Sequence, residues 1–216
     1  MSPANKLMVL AALLLSQTAP CQMRDASVTI AEVAAQLAGR YENAAQVAQG
    51  KAAGETPPPQ RMVITIEPTA RKDWQLWRVH MDVEPAVAET AGSDTSLEAV
   101  WAMNVIRPAG KPLQFIPYTL KPSLDEASVK AAAFDRSDWL SLEACTLEVD
   151  LGKSRITAAA PPDEMCVAAT MGLGGKRAFL PSWIEHEGDR LRVQLIYFGR
   201  PWRVDAHRVP TANAGN

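Results

Sequence analysis

From Arg61 onward, apolar and polar residues alternate with a period of two, the mark of strands that bury one face. Met62, Ile64 and Ile66 alternate with Val63, Thr65 and Glu67. Over residues 74–83, Trp77, Val79, Met81 and Val83 share one face; Trp74, Leu76, Arg78, His80 and Asp82 share the other. Residues 98–107 and 113–121 predict two strands on either side of the turn Pro108-Ala109-Gly110-Lys111-Pro112. Cys145, Leu147, Val149 and Leu151 oppose Thr146, Glu148 and Asp150, predicting a strand that turns at Gly152-Lys153 and returns through Ile156 to Ala160. Pro161-Pro162-Asp163 breaks the pattern, and Cys166 is expected to open the next strand. Residues 178–187 and 190–198 predict a hairpin over Gly188-Asp189, followed by a last strand over residues 202–206.

Helical spacing occurs in two places. Residues 27–50 predict helix: Thr29 and Glu32 form a capping box, and Ile30, Val33, Ala34, Leu37 and Tyr41 fall on one face. Gly39 is the expected C-cap, and Asn43 the cap of a second short helix, residues 44–49, closed by Gly50. Ser123 and Glu126 form another capping box, opening a helix to about Phe134. About eight to ten short strands with so few helices predict an antiparallel sheet that must protect its edges, and closure does this most completely. The expected fold is therefore mainly β: an antiparallel, calyx-like barrel with an N-terminal and a mid-chain helix. A β-sandwich is the alternative. Bulky residues on both faces, such as Trp74 opposite Trp77, suit a barrel whose inside lines a cavity and whose outside is packed by helices or a second subunit.

A chain of 216 residues with 47% hydrophobic content is large enough for one domain with a sizeable core. A net charge of −2 argues against nucleic acid as the main partner. Residues 1–21 have the order of a signal peptide: Lys6, then the apolar run Leu7 to Leu15, then Ala19-Pro20-Cys21 before a cleavage site at Gln22. The run is too short for a permanent span. An uncleaved anchor and a lipidated Cys21, which would tether the protein to a membrane, are the alternatives. The domain is expected to occupy residues 22–210, with a flexible tail over residues 211–216. Export to the periplasm or medium places Cys145 and Cys166 in an oxidising compartment, where a structural disulfide is expected ahead of a reactive pair.

Candidate chemistry is sparse. His80, His186 and His207 lack metal-ligand spacing, and His186, between Glu185 and Glu187, is expected at a solvated hairpin tip. Gly172-Leu173-Gly174-Gly175-Lys176 fails the phosphate-loop pattern at Thr170 and Arg177. No nucleophile with a base stands out, so no catalytic residue is assigned. Arg200, Arg203 and Arg208 around Trp202 form a basic-aromatic cluster, expected on an exposed edge strand or against headgroups or an acidic partner. If the barrel holds a pocket, Trp77, Arg78, His80, Trp101, Asn104, Arg107, Tyr118, Trp183 and Tyr197 are the lining candidates; aromatic walls with a few cationic or amide groups suit an amphipathic ligand bearing carboxylates.

The order Gly39-Arg40-Tyr41-Glu42-Asn43-Ala44-Ala45-Gln46, a proline-containing lead into a strand, Leu76-Trp77, Ala144-Cys145 with Cys166, and Ser182 to Phe198 with Gly199 and Trp202 resembles the CpcT/CpeT family of chromophore lyases. The signature residues are Gly39, Tyr41, Asn43 and Gln46, with one residue inserted between the glycine and the aromatic. The resemblance runs from Ile30 to Trp202. It implies a calyx-like antiparallel barrel, compatible with a homodimer, that handles a linear tetrapyrrole (bilin). The family's Pro-Tyr-Arg-Gln stretch is replaced here by Trp101-Ala102-Met103-Asn104-Val105-Ile106-Arg107, which retains only Asn104 and Arg107 of the polar groups wanted there. The expectation is an exported protein that binds an amphipathic small molecule without lyase activity. A chromophore lyase attaching a bilin to a protein cysteine, and an envelope protein-interaction module, are the alternatives.

Overall fold

The computed structural model describes residues 28–82, 96–160, 164–173, 179–197 and 200–210. The expected signal peptide, the 89–96 loop and the 211–216 tail therefore lie wholly or almost wholly outside the described residues. The elements in chain order are α1 (Ile30–Leu37), β1 (Gly39–Glu42), α2 (Ala44–Ala52), β2 (Met62–Pro68), β3 (Trp74–Asp82), β4 (Ser96–Ile106) and β5 (Leu113–Leu120). They continue as β6 (Trp139–Ser141), β7 (Leu147–Leu151), β8 (Arg155–Ala159), α3 (Glu164–Thr170), β9 (Trp183–Glu187), β10 (Arg190–Tyr197) and β11 (Arg200–Arg208).

The strands form a closed antiparallel barrel. Its order is β4-β3-β2-β1-β11-β10-β9-β8-β7-β5, and β5 pairs back onto β4 to complete the ring of ten. The short β6 adds to β5 beyond β7. Among the described residues closure gives each of the ten strands a partner on both sides, although β11 meets β1 only at His207 and Arg208.

Alternation decides which side chains fill the ring. Met62, Ile64 and Ile66 of β2, Trp77, Val79 and Met81 of β3, and Trp101, Met103 and Val105 of β4 point inward. Phe115, Leu147, Ile184, Val193 and Val204 complete this core from the other wall. The opposite face of β3–β5 carries a second cluster: Trp74, Leu76, Val100, Ala102, Ile116 and Tyr118, with Trp139. Burial on both faces matches the expectation from Trp74 and Trp77.

The second cluster is covered by the mid-chain segment. Its helical part takes the form of three 3-10 turns, Glu126–Ser128, Ala131–Ala133 and Arg136–Asp138, rather than one helix opened by Ser123. Asp125 and Asp135 cap the first and third by accepting from Ala127 N and Ser137 N. Tertiary anchors hold the segment flat on the sheet. Arg78 donates to the carbonyls of Val129 and Glu126, and Phe134 stacks between Trp74 (centroids 5.1 Å) and Trp139 (5.8 Å). Arg136 lies over Tyr118, its Cζ 4.3 Å from the ring centroid.

Three local expectations are corrected and a fourth is narrowed. The first helix stops at Leu37, because Gly39–Glu42 pairs with β2 and β11 as a barrel strand and Tyr41 is fully buried inside. Asn43 makes no side-chain cap to α2; its amide serves the neighbouring strand instead. Cys145 closes a 3-10 turn, Glu143–Cys145, and Cys166 lies in α3 rather than opening a strand; residues 164–170, Glu-Met-Cys-Val-Ala-Ala-Thr, carry no period-two pattern. The basic-aromatic stretch is an edge on one side only: residues 200–207 pair with β10, β1 joins the other side just at His207 and Arg208, and Gln46 of α2 bonds that side at Arg203 and Asp205.

Cys145 and Cys166 are bonded as a disulfide, with Cα atoms 4.8 Å apart, tying α3 to the loop before β7. Such a pair is consistent with an oxidising compartment. No described helix is long and apolar enough to cross a membrane.

Candidate functional site

Ten strands bring their ends together at two rims, and the residues that break the apolar pattern gather at one of them. At this rim β1 begins, β11 ends, and the β7–β8 and β9–β10 turns emerge. The helix α1 lies across it. Its capping box is complete, with Glu32 N donating to Thr29 Oγ1 and Thr29 N to Glu32 Oε2 (2.7 Å). Val33, Ala34 and Leu37 then point down into the core. Gln75, buried on β3, donates to the Ala34 carbonyl at 2.6 Å and fixes the helix to the rim.

Between α1 and the β7–β8 and β9–β10 turns lies an open cleft of about 420 Å³. Val28, Ala35, Leu151 and Ile156 give it apolar walls; Lys153, Ser154, Arg155, His186 and Arg208 give it polar ones. That volume falls within the range of small-molecule sites.

Arg208 is the centre of the polar part. It stands directly across the β1–β11 ladder from Tyr41. Its Nη2 donates to the Gln36 carbonyl (2.8 Å) and the Tyr41 hydroxyl oxygen (2.7 Å), and lies 3.5 Å from His186 Nε2. Its guanidinium carbon is 5.2 Å from the Tyr41 ring centroid. The Tyr41 hydroxyl in turn donates a hydrogen bond to the Leu37 carbonyl at 2.9 Å. Gly39 makes the approach feasible. A Cβ there would meet Arg208 Nε at 3.2 Å, and the backbone φ of +153° is one that side chains rarely adopt.

Protonation at this rim is set by burial. Burial is the main cause that pushes the His186 pKa below its ordinary value, and the neighbouring Arg208 cation adds to it, against a smaller opposing pull from Asp189. His186 is thus neutral at pH 7 and accepts from Arg208. Burial likewise pushes the Tyr41 hydroxyl up, the Arg208 bond opposing it. The expected solvated tip is corrected: His186 is only 5% exposed, because β9 directs it inward beside Ile184. Glu185, on the outer face, is also buried, held by Arg192 (2.5 Å) and Arg155 (3.8 Å).

The nine lining candidates do not surround one cavity. Trp77 and Trp101 face each other across the β3–β4 ladder inside the packed core, 2% and 1% exposed. Asn104 and Tyr118 point to the opposite face, where Asn104 pairs across the ladder with Trp74 and Tyr118 lies beneath Arg136. Arg107 is exposed beyond β4, donating to the Val28 carbonyl (3.3 Å). Trp183, half-buried on the outer wall, is covered by Arg203 (5.3 Å). Tyr197 pairs with Arg200 at the opposite rim. Arg78 and His80 also face outward, Arg78 onto the mid-chain segment and His80 between Glu98 and Asp82 at 3.0 Å each. Arg208 and His186 were absent from the list. Only the pairing of β11 with β1, 167 residues apart in sequence, brings Arg208 to Tyr41.

The signature residues divide by role. Gly39 and Tyr41 shape the rim. Asn43 and Gln46 build the wall: buried Asn43 accepts from Met62 N (2.7 Å) and donates to the Gln60 carbonyl (2.9 Å) and to Gln46 Oε1 (3.2 Å). Gln46 donates to the Arg203 carbonyl (2.8 Å) and accepts from Asp205 N (3.2 Å), locking α2 onto β11. No protein-family model and no curated protein matches the chain.

Proposed function

We propose that this chain is an exported β-barrel protein that binds an amphipathic small molecule non-covalently and has no lyase activity. A tetrapyrrole such as a bilin is the ligand class that the resemblance brings. The observation that carries the reading is the cleft under α1, which joins apolar walls to Arg208 and Lys153 at a barrel rim. A bilin has the matching chemistry, an apolar conjugated body with two propionates. Against attachment chemistry stands the want of a nucleophile–base pair among the described residues of the cleft, where the buried base His186 is already engaged by Arg208. Transfer to a partner thiol requires a chromophore oriented before reaction, and Trp101 to Arg107, which replace the family's polar stretch, lie on β4 and its end, with Trp101 and Met103 committed to the core. The disulfide and the signal-like N-terminus support export. Cleavage before Gln22 is read by N-terminal sequencing of secreted protein, and lipid labelling reports acylation of Cys21.

The test is titration of mature protein with biliverdin, followed by visible absorbance. A saturable spectral shift is expected, with the pigment lost on denaturing electrophoresis. Co-incubation with a bilin and a phycobiliprotein subunit should give no zinc-fluorescent band on the subunit above the control. Such a band would restore the lyase; no spectral shift with biliverdin or with other apolar carboxylates would remove the binding reading.

A second reading, an envelope interaction module, draws on α3 and the turn after it, where Met165, Val167 and Met171 are 68%, 47% and 73% exposed. A stable protein complex formed by ligand-free, colourless protein would favour it.

A further inference from the structure

We propose that Arg208, with Lys153 across the cleft, is an oxyanion-binding site that receives the carboxylate or phosphate group of the ligand. The inference rests on the ligand-binding reading above and assigns its polar contact.

Most arginines of this fold are neutralised by a neighbouring carboxylate. Arg40, Arg61, Arg71, Arg78, Arg155, Arg190 and Arg192 each have a carboxylate within 4 Å. Arg107, Arg136, Arg203 and Arg208 have none among the described residues, and of these four Arg208 lines the cleft. It is nevertheless fixed in place, over the Tyr41 ring and against Gly39. Its three acceptors, Gln36 O, Tyr41 Oη and His186 Nε2, are all neutral and all sit on Nη2. A guanidinium has five N–H donors in a rigid fork. The Nε–H and Nη1–H groups have no acceptor among the described residues, and because Arg208 is exposed these two donors are open to solvent or to an anion.

The surroundings favour an anion there. Lys153 and Ser154 line the same cleft, and Lys153 has no ion-pair partner among the described residues. The nearest buried base is neutral His186, which adds no negative charge to repel an anion. Arg155, the third cation of the cleft, is drawn to Glu185. Guanidinium N–H groups make strong charge-assisted hydrogen bonds to carboxylate and phosphate, and a side chain already immobilised loses little freedom on binding. The apolar walls, Val28, Ala35, Leu151 and Ile156, would receive the non-polar remainder.

Calorimetric titration with octanoate, octyl phosphate, inorganic phosphate and octan-1-ol tests the site. Octanoate or octyl phosphate is expected to bind about tenfold or more tightly than octan-1-ol. The better of the two identifies the oxyanion, and inorganic phosphate reports the anion contact without the apolar wall. Arg208→Gln should remove most of that preference while octan-1-ol affinity stays. Because Arg208 also holds α1, folding of the variant is checked by near-ultraviolet circular dichroism. Lys153→Gln, at an exposed position, should weaken the anionic ligands about threefold, and added salt should weaken them but not the alcohol. Equal binding of octanoate, octyl phosphate and octan-1-ol, or undiminished anion binding by folded Arg208→Gln together with Lys153→Gln, would overturn the site while leaving a general apolar-ligand role intact. Absence of binding by every probe, and by biliverdin, would remove both.

Discussion

At the scale of single residues, Asn43 and His186 show how much of this chain's polar chemistry is structural. Asn43 is fully buried, and its amide satisfies Met62 N and the Gln60 carbonyl where β2 begins. Asn43→Ala would strand both groups, each costing about 1–3 kcal/mol. We expect a loss of roughly 3 kcal/mol in urea unfolding, larger than that of Gln46→Ala, whose partners lie nearer solvent. His186 gives a pH dependence of defined sign. Its folded pKa lies below the ordinary value of 6.5, so the unfolded chain binds its proton more readily. The associated stability is complete above the ordinary value and is lost as pH falls from there toward the folded pKa. Arg208 and Tyr41 face the ring and Asp189 lies near it, and of the charged pair Arg208 dominates. Urea midpoints measured between pH 8 and pH 5.5 should fall in the wild type, and His186→Gln should flatten that fall. An unchanged slope would mean that folding does not lower the pKa of the ring.

At the scale of elements, legibility followed burial. Strands β2, β3, β7 and β10 were readable because one face of each meets the core and alternation survives in the letters. β1 was not, because its Gly39-Arg40-Tyr41-Glu42 lies within a helix-forming run and its strand state comes from partners on β2 and β11. The mid-chain capping box failed for the same kind of reason: Arg78, Trp74 and Trp139 hold the segment flat. The candidate site was legible only in Gly39 and Tyr41. Arg208 carries no local signal that distinguishes it from Arg200 or Arg203. Element α3 yields a prediction of its own. It is tied to the loop before β7 through Cys145–Cys166, and Cys166 packs against the main core. Closing a loop of this size stabilises by about 3 kcal/mol in the chain-entropy model. Reductant should therefore lower the melting temperature, and Cys145→Ser/Cys166→Ser should match the reduced wild type. No change on reduction would show that the bond contributes nothing to stability.

At the scale of the whole molecule, the question is whether function resides inside the barrel or at its rim. A calyx suggests a ligand in the middle, and Trp101 is among the residues expected to line it. Yet Trp101, Trp77, Met103, Phe115 and Met81 are each 2% exposed or less and fill the interior against one another. Small rings of strands are commonly filled by their own side chains, and this one leaves its cleft outside that filling, between α1 and the turns. The two locations predict opposite effects for the same substitutions. Trp101→Ala removes a large buried side chain and should cost about 3–5 kcal/mol in stability. The milder Trp101→Phe should lower the melting temperature yet leave ligand affinity, measured well below that temperature, within about twofold of wild type. Arg208→Gln should do the reverse, cutting affinity for an anionic ligand about tenfold with a smaller effect on melting. Tight binding abolished by Trp101→Phe in a protein that remains folded, with Arg208→Gln unaffected, would place the ligand inside the ring after all and require the core to open for it.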